Sequence, residues 1–186
     1  METSIIILRG KGIHALVRLM KKIICILSFI SICVFISAAD QKAKVQSFRP
    51  HEIEKAMGGT VKTEFKDKPV PYVEVVAGET KAYLFNTGDL KVSQQGINKK
   101  AVVDVFVLID SKGKVITASI GENADTPGYV KKVTESSIFS NWNGKEAGDK
   151  VPDTVTNATF TSKAVNGGVE ALLKKLKEIG FFSNLK

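Results

Sequence analysis

Cysteine and histidine are nearly missing from this chain: its 186 residues hold two of each. Both cysteines, Cys25 and Cys33, fall inside one apolar run near the front, so nothing after it carries a thiol. That excludes disulfides, iron–sulfur clusters and thiolate zinc sites from residue 40 onward. Of the histidines only His51 lies beyond the run, and its place beside a short helix pattern reads as surface. A histidine-based metal site or a Ser-His-Asp triad therefore has nothing to build on. Arginine is scarce there too, with Arg49 alone among scattered lysines, so nucleic-acid binding is not expected. The formal net charge is +8, but five of the 27 basic residues and one of the 19 acidic ones precede Asp40. That leaves 22 against 18, a net of +4, which suits anionic ligands or partners.

The front of the chain is organised. Met20-Lys21-Lys22 opens an apolar run from Ile23 to Ile36, which closes on Ser37, Ala38 and Ala39 before Asp40. Basic, apolar, small is the order of a secretory signal, and the run is shorter than the ~20 residues of a membrane-spanning helix. The expectation is cleavage before Asp40 and an exported domain over 40–186, in the periplasm or on the outer face of the cytoplasmic membrane. An uncleaved anchor is the alternative, because Ala38 and Ala39 extend the run. Residues 1–39 are then an N-terminal extension plus this leader, with Met20 read as the true start and a long basic n-region as the competing idea. Ile32 ahead of Cys33 argues against a lipoprotein.

Over the whole chain, 44% apolar and 25% charged residues suit one globular domain with a real core plus an appendage. Pro50 to Gly59 predicts a short helix stopped by Gly58-Gly59. Strand patterns follow at "TVKTEF", "PYVEVVAG" and "KAYLFNTG". The clearest hairpin joins Val102–Ile109 to Val115–Ile120 through Asp110-Ser111-Lys112-Gly113. Pro127 and Gly128 read as a break, and Ser140 to Asp153 as a loop with an Asn143-Gly144 turn. A last helix is expected from near Ser162, with Val165, Val169, Leu172, Leu173 and Leu176 as its apolar stripe. Lys174, Lys175 and Lys177 lie towards its C-terminal end, where the dipole favours cations. Gly167 and Gly168 cost it roughly 1 kcal/mol each relative to alanine, which suggests close approach of a backbone or ligand. The expected class is α+β: a small, mostly antiparallel, half-barrel-like sheet with a C-terminal amphipathic helix and a short N-terminal one.

Hydroxyls crowd in front of that last helix, in "DTVTNATFTSKAVNGG" from Asp153 to Gly168. A helix N-terminus presents unpaired N–H groups and the positive end of a dipole, a ready phosphate site. Local features alone favour a plainer role, with Thr161 or Ser162 as N-cap. Asn157-Ala158-Thr159 also matches the common glycosylation pattern.

From about Thr63 to Leu176 the chain resembles the FMN-binding domain of the flavin-carrying subunits in sodium-pumping NADH:quinone reductase and Rnf-type complexes, and of exported relatives. The family's Asp-x-x-Ser/Thr-Gly-Ala-Thr motif reads here Asp153-Thr154-Val155-Thr156-Asn157-Ala158-Thr159, followed by Phe160-Thr161-Ser162. Its Glu-Thr-Pro-Gly element reads Asp125-Thr126-Pro127-Gly128. The resemblance implies FMN joined through its phosphate to the Thr159 hydroxyl, installed from FAD by a separate Mg²⁺-dependent transferase. It implies Asp153 in transferase recognition, and Thr126, Pro127 and Gly128 near the isoalloxazine ring. The remaining motif positions, Thr156, Asn157, Ala158, Thr161, Ser162 and Asp125, would complete the flavin site. Two positions depart from the pattern. Asn157 stands for the motif glycine, tolerable if that residue has positive φ, and Asp125 is one methylene shorter than the glutamate. Trp142 would stack on the flavin or plug a core edge. The implied function is an electron carrier or redox-complex subunit, with redox donor and acceptor proteins as partners, such as a membrane respiratory complex. The alternative is a non-redox or non-covalent binding module on the same fold. A stand-alone reductase lacks a further catalytic constellation.

Overall fold

The strongest strand signal in the chain, Val102 onward, becomes the strand on which everything else is assembled. The computed structural model describes residues 47–48, 50–97 and 102–185. The expected leader over 1–39, both cysteines and Arg49 lie outside the described residues. The strands are β1 (Lys62–Lys66), β2 (Tyr72–Ala77), β3 (Thr80–Asn86), β4 (Gln94–Gln95), β5 (Val102–Asp110) and β6 (Val115–Asn123). They form one open antiparallel sheet in the order β1-β2-β3-β5-β4, with β6 also paired to β5. The helices among the described residues are α1 (Pro50–Met57), α2 (Pro127–Thr134) and α3 (Thr159–Glu178), with short 3₁₀ turns at Ser140–Trp142 and Phe181–Leu185. This is the α+β architecture expected from the sequence, short N-terminal helix and long C-terminal helix included.

β5 is buried from Val103 to Ile109 because both faces of the sheet are covered. Side chains alternate across a strand, so Val103, Val105, Val107 and Ile109 join one core cluster with α3. Phe106 and Leu108 join a second cluster with Phe48 and with Ile53 of α1. The α3 stripe is Val165, Val169, Leu172, Leu173 and Leu176, each at most 3% exposed. Burial of five such side chains, at about 1.5–3 kcal/mol each, docks the helix on the sheet. Gly180, at φ +63°, follows its end as the left-handed stop. No helix among the described residues is long and apolar enough to cross a membrane.

Two local expectations are corrected. Pro127 does not merely break the chain; it starts α2, where its fixed φ suits the first helical position. And α3 begins at Thr159, not near Ser162. The reason is a tight turn just before it, closed by the Ala158 N–H donating to the Val155 carbonyl at 3.0 Å. That turn reverses the chain early enough for Thr159 to enter the helix despite the modest helix propensity of threonine.

Candidate functional site

Asn157 holds the third position of the turn at φ +60°, one of two non-glycine residues with positive φ among those described. A turn that needs positive φ there takes glycine or asparagine at least cost. Asparagine at 157 is thus compatible with the backbone that this turn adopts. Ser162 locks the turn from the helix side. Its hydroxyl donates to the Ala158 carbonyl at 2.8 Å and accepts the Val155 N–H at 3.0 Å.

Neither Thr161 nor Ser162 caps α3. The N-cap is Ala158, with no side-chain cap bond, and the two hydroxyls sit inside the first turns, buried. Thr161 Oγ1 donates to Asp125 Oδ2 at 2.7 Å. The capping expectation fails because both hydroxyls are already engaged, Thr161 with Asp125 and Ser162 with the turn ahead of the helix. Thr159, by contrast, is exposed at the first helical position. The burial pattern therefore singles it out: of the three hydroxyls beginning α3, only this one is open to solvent.

Thr159 borders a cleft of about 230 Å³. The cleft is lined by the Asn157–Thr161 stretch together with Ile97 and Tyr129. Phe160 is 63% exposed and Ile97 37%, so an apolar ledge lies beside the hydroxyl. The first turn of α3 contains no acidic residue, which leaves the positive end of its dipole uncompensated from within the helix. Lys163, exposed and one turn further on, shares the face of Thr159 at i,i+4 spacing. The arrangement offers one reachable hydroxyl at a helix N-terminus, with Lys163 near it and the Asp125 carboxyl behind it, and apolar surface suited to a flat ring.

The other expected site residues take varied places. Asp153 and Thr156 are exposed on the approach to the turn, and Ala158 is buried. Thr126, Pro127 and Gly128 are exposed at the start of α2; Tyr129, next in line, is the residue that lines the cleft. Asp125 is 6% exposed and bonds to protein groups, with Oδ1 accepting the Thr126 N–H at 2.9 Å. Trp142 is buried, and its Nε1 donates to Asn166 Oδ1 at 2.9 Å. It plugs the core beneath α3 and is not a stacking surface, because Asn166, itself tied to the Pro152 carbonyl, holds the indole inward. Sequence reasoning missed Ile97, Tyr129 and Phe160. The signal for Phe160 was an aromatic flanked by two threonines on a polar stretch; Ile97 and Tyr129 carry no such mark.

The family model described as the FMN-binding domain matches residues 96–174. That span runs from the edge of the cleft at Gly96 through β5, β6, α2, the turn and most of α3. None of the curated proteins matches the chain.

Proposed function

Because the chain carries, over residues 96–174, a domain of the FMN-binding family, we propose that it is an exported flavin carrier with FMN joined through its phosphate to Thr159 Oγ1. The observation that supports this most is the exposure of Thr159 at the start of α3, presented by a left-handed Asn157 beside an apolar cleft. Bound FMN supplies the electron-transfer chemistry, in steps of one or two electrons. The residues of this chain bind and orient it. Thr159 provides the anchoring oxygen. Thr159 Oγ1 would hold the FMN as a phosphoester, with FAD as the donor and AMP as the group released on the transferase. The phosphoester would carry one negative charge, which the N-terminal end of α3 would stabilise. Ile97, Tyr129 and Phe160 offer the ring an apolar seat, and such a seat also keeps water from one side of it.

Asp153, Thr154 and Thr156 are exposed next to the anchoring hydroxyl, where a transferase would meet the motif. The electron donor and acceptor would approach the same end of the molecule, since the phosphoester fixes the flavin there. A covalent anchor suits an exported domain, from which a free cofactor would diffuse away.

Co-expression with the cognate transferase tests this reading. The wild type is expected to give a flavin-fluorescent band on a denaturing gel and Thr159→Ala none. The fold should survive the substitution, since Thr159 is exposed and is not the N-cap, and even a capping threonine typically contributes only about 1 kcal/mol. A fluorescent Thr159→Ala band would move the anchor to another residue, and an unlabelled wild type would favour the non-covalent binding module.

A further inference from the structure

We propose that Asp125 and Thr161 are positioning residues that build the flavin seat without touching the flavin, and that Gly96 dictates the short carboxylate at 125. This rests on the flavin-carrier reading. Asp125 Oδ2 accepts the Thr161 hydroxyl at 2.7 Å and the Ile97 N–H at 3.3 Å. Its partners lie 36 and 28 positions away along the chain. Both of them, Ile97 and Thr161, line the cleft, whereas the carboxylate itself is 6% exposed and lies behind that lining. One buried group thus ties the segment after β4 to the first turn of α3, and does so next to the anchoring hydroxyl. A hydrogen bond between buried groups is stronger where water is excluded.

Gly96 explains the length of the side chain. Its backbone runs directly against Asp125, and a Cβ built there would overlap the carboxylate. The glutamate of the related motif would extend by a methylene into space that Gly96 and Thr161 already fill. The aspartate is therefore matched to Gly96, and restoring glutamate disturbs the seat.

The test uses covalently flavinylated protein and reads the visible circular dichroism of the flavin and its fluorescence anisotropy, both per bound flavin. A ring held against Ile97, Tyr129 and Phe160 gives an induced visible signal and slow depolarisation. Thr161→Val and Asp125→Glu are expected to carry flavin and keep their far-ultraviolet spectra, while losing most of the induced signal and depolarising faster. Thr161→Ser, which restores the hydroxyl, should recover both. Gly96→Ala should behave like Asp125→Glu and serves if Thr161→Val fails to fold. Labelled Thr161→Val and Asp125→Glu with wild-type signals would overturn the positioning role and leave the carrier reading intact. A wild type that takes no label would overturn both.

Discussion

At Asn157 the chain passes through φ +60°, and the identity of this one residue decides how Thr159 is presented. For most L-residues the left-handed region costs about 1–2 kcal/mol, less for asparagine and nothing for glycine. Asn157→Ala is therefore expected to lose about 1 kcal/mol in urea unfolding and to label more slowly. Asn157→Gly is expected to be at least as stable and to label at least as fully as the wild type. An alanine variant as stable as the glycine one would show that the positive φ is not what the position requires. The need for an asparagine or glycine was legible in the motif itself. The roles of Thr161 and Ser162 were not, because sequence shows that hydroxyls stand near a helix start but not which group each one bonds.

In α3 the apolar stripe was legible from its spacing, and all five of its members are buried. Gly167 and Gly168 suggested close approach of a backbone or ligand; the protein atoms that a Cβ there would meet belong to side chains, not to backbone. A Cβ at Gly168 would come 3.5 Å from the Thr87 methyl and 3.8 Å from Val105, ordinary contact distances. At Gly167 it would come 3.2 Å from Cγ of Gln94, a flexible side chain. Alanine then fits at 168 and removes the conformational freedom that glycine gives the unfolded chain. Gly168→Ala is expected to stabilise the domain by up to about 1 kcal/mol, read as a higher urea midpoint with an unchanged slope. A lower midpoint would mean that α3 cannot give even this much against β5. The start of α3 was misplaced for a related reason. Caps are sought among hydroxyl residues, and here the cap is an alanine after a closed turn, with the hydroxyls spent on Asp125 and on the turn.

At the scale of the described fold, the pairing of β4 and β6 with β5 and the packing of α3 on the sheet bring together three segments that are far apart in sequence: Gly96-Ile97, Asp125 to Tyr129, and Asp153 to Ser162. The α+β class and each motif were legible one at a time, because strand alternation and turn residues are local signals. The hydrogen bond from Thr161 to Asp125 and the exposure of Phe160 were not, since both depend on how α2 and α3 come to rest beside β4. The measurement that bears most directly on the central proposal is the intact mass of the protein made in a host that contains its transferase, followed by peptide mapping. The account predicts a gain of one FMN less one water, confined to the peptide that contains Thr159. An unmodified mass, or the same gain carried on Thr154 or Thr156, would contradict it.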